Sequence, residues 1–277
     1  MSMSVICRWA TRPAKWLDRV RLNPDGAVTI VTGASSGIGR CLCEMLSDRG
    51  ATVVAVARRR ERLEELRQRA TVGKIIPVAG DITDGGVRES IIDVAANVRG
   101  GAVDLLVNNA GVGAIGPFAD ASPARLREVM EVNFFAPAEL TRIAIKHLAR
   151  SPAAVIANIS SVLGHRAVPN KSEYCASKFA MHGWSDSLRA ELAPRGIQVT
   201  LVSPSTTDSE FFDALVHTGA DQTSSSIGSW TPDRVARAAM AAILARRSEV
   251  ILSLGGKALV YADRIAPPIM NAILKQK

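Results

Sequence analysis

Residues 27–39 read Ala-Val-Thr-Ile-Val-Thr-Gly-Ala-Ser-Ser-Gly-Ile-Gly, and this stretch decides the fold of the 277-residue chain. Its apolar beginning is typical of a buried strand in a parallel sheet. The residues after it predict a helix with Leu42, Met45 and Leu46 on one side. A glycine-rich turn between strand and helix allows close backbone approach to a pyrophosphate, at which the helix N-terminus directs its N–H groups. The turn therefore predicts a dinucleotide site, although its G-x-x-x-G-x-G spacing differs from the commoner G-x-G-x-x-G.

A second pattern places Ser161 thirteen residues before Tyr174, with Lys178 four residues after that tyrosine. Residues four apart share one face of a helix, so the Lys178 ammonium is expected near the Tyr174 phenol. A nearby cation favours phenolate and lowers a pKa that is otherwise about 10. Such a phenol can exchange a proton during carbonyl or alcohol chemistry, beside a serine hydroxyl that steadies the oxygen. Alone, the Tyr-x-x-x-Lys spacing would also fit the exposed face of any helix.

Strand and helix patterns alternate through most of the chain. Strands are predicted at 27–31, 52–57, 75–79, 103–107, 154–159, 197–202 and 249–253. Seven strands with helical crossovers predict an α/β domain whose parallel sheet is covered on both faces. We therefore expect a single doubly wound domain over residues 26–255, preceded by a basic amphipathic segment over 1–25 and followed by an apolar tail over 256–277.

These patterns together resemble the short-chain dehydrogenase/reductase family, in the branch that has T-G-x-x-x-G-x-G and Y-x-x-x-K. Further matching pieces are Asn108-Asn109-Ala110-Gly111, Asn133, and Asp81 after a strand. The resemblance runs from about Ala27 to about Ser253. It implies a Rossmann fold and an oxidoreductase that uses a nicotinamide cofactor.

The end of the second strand bears on which cofactor is used. An NAD site usually has an acidic residue there that binds the ribose 2′-hydroxyl, whereas this chain has Ala57 followed by Arg58. A guanidinium suits a 2′-phosphate, so we expect NADP(H), held by Arg58. In the other interpretation the arginines simply begin a solvated helix, and we assign Arg59 and Arg60 to that helix.

The resemblance also implies a set of cofactor-binding residues, with Asp81 and Ile82 at the adenine and Thr207 and Ser209 near the carboxamide. The turn after the sixth strand has Pro204-Ser205 where the family usually has Pro-Gly, and Ser205 gives the backbone near the nicotinamide less conformational freedom than glycine would. The expected cofactor-binding residues are Gly33, Ser35, Ser36, Gly37, Ile38, Gly39, Arg58, Asp81, Ile82, Asn109, Ala110, Gly111, Tyr174, Lys178, Pro204, Thr207 and Ser209.

The expected reaction interconverts a carbonyl and an alcohol, with Tyr174 as general acid or base and Ser161 bonded to the substrate oxygen. By resemblance, Lys178 also holds the nicotinamide ribose, and Asn133 positions a water that links Lys178 to solvent. The segment 207–230 is expected to cover the site, and Phe211, Phe212, Leu215 and Val216 in it favour a hydrophobic substrate such as a lipid, steroid or retinoid-like molecule. Two alternatives stay open: a 3-oxoacyl reductase acting on carrier-protein or CoA thioesters, and a non-catalytic NADP(H)-sensing protein.

Composition narrows the partners. The net charge of +8 includes five basic residues and one acidic residue within 1–22. The basic residues form no nucleic-acid motif, but amphipathic basic ends can contact anionic membranes, and packing on the domain is the alternative. The four cysteines have no metal-site spacing, so we expect no metal and a cytoplasmic protein. The amphipathic ends leave a peripheral position on a membrane open. The helical stretches 123–150 and 173–192 are expected to pair in a homodimer or homotetramer.

Overall fold

The computed structural model describes residues 21–208, 210, 215–216 and 229–275. Within them the chain forms one seven-stranded sheet in the order β3-β2-β1-β4-β5-β6-β7, with every pairing parallel. This confirms the predicted fold class. The strands are β1 (Val28–Thr32), β2 (Thr52–Ala57), β3 (Lys74–Ala79), β4 (Leu105–Asn108), β5 (Val155–Ile159), β6 (Gln198–Ser203) and β7 (Glu249–Ile251).

Helices cover both faces of the sheet because strand side chains alternate in direction and both sets are apolar. On one face Leu42, Leu66 and Ile243 pack in a cluster with Val31. On the other face Leu140 and Leu188 pack in a second cluster. The helices are α1 (Gly37–Ser47), α2 (Arg60–Arg69), α3 (Gly85–Ala96), α4 (Pro123–Met130), α5 (Ala136–Leu148), α6 (Ser172–Leu192), α7 (Pro232–Leu244), α8 (Leu254–Ile265) and α9 (Pro267–Lys275).

The long helical stretch predicted over 123–150 is two helices joined by a π-helical turn, Glu131–Phe135. A single π turn inside helical sequence frequently lies at a functional site, because it rotates one side chain out of the regular helical register. Here the residue concerned is Asn133, which is buried while its neighbours remain partly or wholly exposed.

The order of the strands reverses direction at β1. From β1 the chain builds outward through β2 and β3, and it then returns to the other side of β1 with β4. A crevice forms at such a switch point outside the carboxyl ends of the strands, and ligands of open α/β sheets bind there. The Thr32 hydroxyl ties the two strand ends together, since Oγ1 accepts from the backbone N–H groups of Asn109 and Ala110, each at 3.0 Å.

The predicted apolar tail over 256–277 corresponds, in its described part, to most of α8 and all of α9, and α8 packs on the domain. Val260 is buried against Val162 and Ile251, whereas α9 has no buried residue. Within the described part of the chain, no helix is both long enough and apolar enough to cross a bilayer. Most of the predicted N-terminal segment, residues 1–20, lies outside the described residues, and the three-segment division stays a prediction.

Candidate active site

A cavity of about 1390 Å³ opens at the carboxyl ends of the strands around the switch point. It brings together nearly all the residues that the sequence assigned to cofactor binding. Gly39 does not line it, and Ser209 lies outside the described residues. The predicted cofactor residues that line the cavity are Gly33, Ser35, Ser36, Gly37, Ile38, Arg58, Asp81, Ile82, Asn109, Ala110, Gly111, Tyr174, Lys178, Pro204 and Thr207.

The glycine-rich turn has the features that a dinucleotide pyrophosphate requires. Gly33 has φ +70°, and a Cβ there would lie 2.6 Å from Nδ2 of Asn109, so a side chain is excluded. Gly37 and Ile38, the first two residues of α1, line the cavity. The N-cap residue Ser36 makes no side-chain hydrogen bond to the N–H groups of the first turn. The first-turn N–H groups can therefore bind an anion. By these observations a nicotinamide dinucleotide fits the residues present.

Gly39 contributes to this turn without reaching the cavity. A Cβ at this position would collide with the carbonyl oxygen of Gly33 and with the Asn109 amide. The missing side chain therefore allows α1 to begin directly against the turn, which sets the direction of its N-terminal N–H groups.

Ser161, Tyr174 and Lys178 line the same cavity as the glycine-rich turn. Ser161 follows β5, and its side chain hydrogen-bonds to that of Tyr174. On α6, Lys178 lies with its Nζ 5.6 Å from the centre of the Tyr174 ring. The same Nζ donates to the carbonyl oxygen of Ile159 at 3.0 Å. The spacing in sequence therefore indicated the correct neighbours.

The protonation of these groups differs from the expectation. Burial raises the pKa of Tyr174, while the hydrogen bond with Ser161 lowers it by a smaller amount. The cost of burying a charged phenolate thus outweighs the stabilisation that neighbouring groups of the chain give to it, and Tyr174 keeps its proton. Burial also lowers the pKa of Lys178 to about 8, because the ammonium loses its hydration.

A buried polar network holds α6 in register with the sheet. The Asn108 amide donates to Thr141 at 3.0 Å and to Asn158 at 2.8 Å. Asn158 in turn donates at 2.8 Å to the hydroxyl of Ser185, two helical turns beyond Lys178. These bonds join β4, β5, α5 and α6, so rotation of α6 would leave buried amides unsatisfied.

Asn133 lies behind the cavity wall rather than in it. Its Oδ1 accepts from the N–H of Val112 at 2.8 Å, and its Nδ2 donates to the Val112 carbonyl at 2.9 Å and to the Ser177 hydroxyl at 3.0 Å. The Ser177 hydroxyl donates to the carbonyl of Tyr174 at 2.7 Å. The side chain therefore links the strand end after β4 to the helical turn that carries the tyrosine.

Arg59, which we had assigned to a solvated helix, instead reaches the glycine-rich turn. Its guanidinium donates to Ser36 Oγ at 2.9 Å and to Ser35 Oγ at 3.0 and 3.2 Å. The carboxylate of Glu210 pairs with it at 2.8 Å and with Arg62 at 2.7 Å. The Arg58 side chain, in contrast, is 69% exposed, and its Nη1 lies 4.0 Å from Oδ2 of Asp81.

Two histidines that are separated in the sequence meet beside the Ser161 segment. Nε2 of His165 lies 3.0 Å from the Ser203 hydroxyl and 3.2 Å from a Glu249 oxygen, and Nδ1 of His182 lies 3.2 Å from the Gly164 carbonyl. Burial lowers the pKa of His165 to about 4, so the ring is neutral near pH 7. The contact of His182 joins α6 to the turn after β5, and the contacts of His165 join that turn to β6 and β7.

Comparison with known proteins identifies the family and supports the fold. The family model for short chain dehydrogenases matches residues 27–220. The chain belongs to the short-chain dehydrogenase/reductase family. Among its relatives, a dehydrogenase/reductase SDR family protein 7-like of Anopheles gambiae is 33% identical over 271 residues, covering 91% of this chain and 83% of that protein.

Solved structures of the family superpose over nearly the whole chain. A short chain dehydrogenase/reductase of Burkholderia phymatum in complex with NAD has TM-score 0.80 and 26% identity, covering 90% of this chain and 96% of the other. A short chain dehydrogenase of Burkholderia cenocepacia J2315 in complex with NADP has TM-score 0.76 and 29% identity, covering 91% and 99%. This short-chain dehydrogenase/reductase is therefore an oxidoreductase of a family that binds nicotinamide cofactors.

The buried Lys178 makes stability depend on pH in a defined direction. The pKa of Lys178 is about 8 in the folded chain and about 10.4 in an unfolded one. Between these values the unfolded state binds more protons, so the free energy of unfolding rises with pH. The free energy of unfolding of the unmutated protein, relative to that of Lys178→Met, should therefore rise by on the order of 3 kcal/mol between the two pKa values. Urea unfolding at a series of pH values measures this, and a constant difference would contradict it.

Proposed function

We propose that this protein is an NADP(H)-dependent oxidoreductase that interconverts a carbonyl and an alcohol on a hydrophobic small molecule. The observation that carries the proposal is that one cavity is lined both by Ser161, Tyr174 and Lys178 and by the glycine-rich turn, whose helix has no side-chain cap from Ser36. The cavity joins an anion-binding end to a proton-exchanging end. Steady-state assays of NADPH and NADH consumption with a panel of ketones and aldehydes test this directly.

The residues divide the proton chemistry between them. When bound, the nicotinamide cofactor supplies or accepts the hydride. Tyr174 holds a proton at the pKa that burial gives it, so in the reductive direction its hydroxyl gives that proton to the carbonyl oxygen. The Ser161 hydroxyl, already bonded to Tyr174, lies where it can hydrogen-bond the same oxygen.

Two further residues support this exchange. Lys178, with a pKa of about 8, carries a positive charge near neutral pH and lies 5.6 Å from the Tyr174 ring. That charge favours the tyrosine anion left after proton transfer. Asn133 acts as a positioning residue, since its amide holds Val112 and Ser177 on either side of the reacting groups.

The charge at the end of β2 supports NADP(H) over NAD(H). Ala57 stands where an acidic residue would bind a ribose 2′-hydroxyl, and the side chains that follow are cationic. Arg59 approaches the turn hydroxyls of Ser35 and Ser36, with Arg58 beside it on the cavity wall. Guanidinium groups here can form charge-assisted hydrogen bonds with a 2′-phosphate.

Apolar side chains around the reacting groups support a hydrophobic substrate. Apolar residues of the cavity lining outside the predicted cofactor-binding set include Val112, Ile115, Val162, Leu163, Val168, Leu215, Leu254 and Leu259. The expected cover residues Phe211 and Phe212 lie outside the described residues. The alternative activity, that of a 3-oxoacyl reductase, stays a prediction. Adding acyl thioesters to the same panel of substrates tests it. A non-catalytic sensor is disfavoured because the Ser–Tyr–Lys set is complete.

Replacing the proposed proton donor tests the catalytic assignment. Tyr174→Phe keeps the ring and removes the hydroxyl, so the turnover rate should fall by roughly 10²–10⁴ with NADPH binding largely retained. Tyr261→Phe is the matched control, since Tyr261 is the other tyrosine of the chain and is 50% exposed on α8. Turnover and cofactor titration are measured on both variants. Equal activities would refute the role of Tyr174.

Three adjacent arginines allow a matched test of cofactor choice. We expect tighter binding of NADPH than of NADH, and Arg59→Ala should reduce that preference by about 1–3 kcal/mol, the range for charge-assisted hydrogen bonds. Arg58→Ala should act in the same direction. Arg60→Ala removes the same charge from the first residue of α2, outside the cavity lining, and should leave the preference unchanged. Fluorescence titration with both cofactors measures it, and stronger NADH binding by the unmutated protein would overturn the proposal.

We also propose that the protein self-associates through α5 and α6. Within the helical stretches 123–150 and 173–192, Met181 is buried in the chain, whereas Phe135 and Phe179 are 49% and 44% exposed. Phe134 of the π-helical turn packs edge-on against Trp184 of α6, so this contact joins the start of α5 to α6. We expect a symmetric dimer or tetramer, and Phe179→Asp should shift it toward monomer in light scattering. A monomeric unmutated protein at micromolar concentration would contradict this.

A further inference from the structure

The two C-terminal helices expose large apolar side chains that the fold does not cover. Leu254 and Ile265 are 85% and 84% exposed, and Ile269 is 62% exposed. Tyr261 and Ile273 are about half exposed, at 50% and 49%. These five residues of α8 and α9 form what we call the C-terminal apolar face. A concentration of exposed apolar groups of this kind marks an interaction surface.

The charges around this face are mostly positive. Residues 254–275 contain three basic side chains, Lys257, Arg264 and Lys275, all on exposed residues. The one acidic residue in this range, Asp263, pairs with Arg166 at 2.8 Å. The C-terminal apolar face therefore has a cationic border, the composition typical of a helix that lies in a membrane interface.

The first of these helices, α8, borders the cavity. Leu254 and Leu259 of α8 both line it. The start of α8 is fixed by Ser253, whose hydroxyl accepts from the Gly256 N–H at 2.9 Å and bonds to the Ser205 hydroxyl at 2.9 Å. Since Ser205 belongs to the turn after β6, the exposed face is anchored directly to the site.

We infer that the C-terminal apolar face binds the surface of an anionic lipid bilayer. Charge complementarity selects this occupant, because an anionic headgroup layer attracts the cationic border. The N-terminal segment over residues 1–22 has five basic and one acidic residue, so it would repel that border. The same face on a second copy of the chain would bring like charges together.

Bilayer contact would place the cavity mouth at the lipid interface. This step rests on the proposed function, because it assumes a hydrophobic substrate. Leu254 is both the most exposed residue of the face and part of the cavity lining. A lipid-soluble carbonyl or alcohol could then pass from the bilayer along α8 without crossing bulk water, where its solubility is low.

Vesicle flotation with the full-length protein tests the inference without cofactor or substrate, so its outcome is independent of the proposed catalytic function. The probes are vesicles of phosphatidylcholine alone and of phosphatidylcholine mixed with phosphatidylglycerol. The test variants are Ile265→Asp on α8 and Ile269→Asp on α9. Val72→Asp is the matched control, because Val72 is 68% exposed between α2 and β3 and receives the same charge.

The unmutated protein and Val72→Asp should float with the mixed vesicles at low salt and less so at physiological salt. Each isoleucine variant should bind about tenfold more weakly, as expected for losing one buried apolar side chain from the interface. Failure of the unmutated protein to float with mixed vesicles would overturn the inference. Equal losses in Val72→Asp and the isoleucine variants would also overturn it, because charge alone would then be responsible.

Light scattering of the same variants without vesicles separates a lipid surface from a second copy. Unchanged oligomeric states support the bilayer. If Ile265→Asp dissociates an oligomer that Val72→Asp leaves intact, the face is a contact between chains and the inference is wrong. Circular dichroism of all variants establishes that each is folded before binding is compared.

Discussion

The buried ammonium of Lys178 is the constraint around which the site is built. A charged group removed from water destabilises the fold unless polar partners surround it. The Ile159 carbonyl at the end of β5 provides one such partner at 3.0 Å. That contact requires a particular register of α6 against the sheet, and the Asn158–Ser185 hydrogen bond maintains it deeper in the core. The reacting groups are therefore positioned by buried polar bonds between helix and sheet.

A second constraint operates at the reversal of strand order. The Thr32 hydroxyl accepts two backbone N–H groups, and the Asn109 amide donates back to the Thr32 carbonyl at 2.9 Å. Because these bonds join the ends of β1 and β4, the glycine-rich turn and the wall after β4 keep a fixed separation. The cavity is thus bounded by two strand ends that cannot move apart independently.

Much of this could be predicted from the sequence, because its signals were local and periodic. The apolar runs located all seven strands within a few residues, and the spacing of Tyr174 and Lys178 indicated that they would be neighbours. A run of three arginines does not show in which direction each side chain points. The sequence therefore favours Arg58 for binding the 2′-phosphate, whereas in the structure it is Arg59 that reaches the glycine-rich turn. The raised pKa of Tyr174 depends on burial by the whole fold, which no short motif contains.

The carboxylate of Glu210 affects how a phosphate could bind beside the glycine-rich turn. It pairs with the guanidinium groups of Arg59 and Arg62, and Arg59 is one of the two groups proposed to bind a 2′-phosphate. Binding of the proposed 2′-phosphate to Arg59 would consequently be an ion exchange, in which one anion displaces another and the lost Glu210 pair offsets part of the attraction. Since Glu210 follows β6 in the chain, such binding would be coupled to the contacts that Glu210 makes with Arg59 and Arg62.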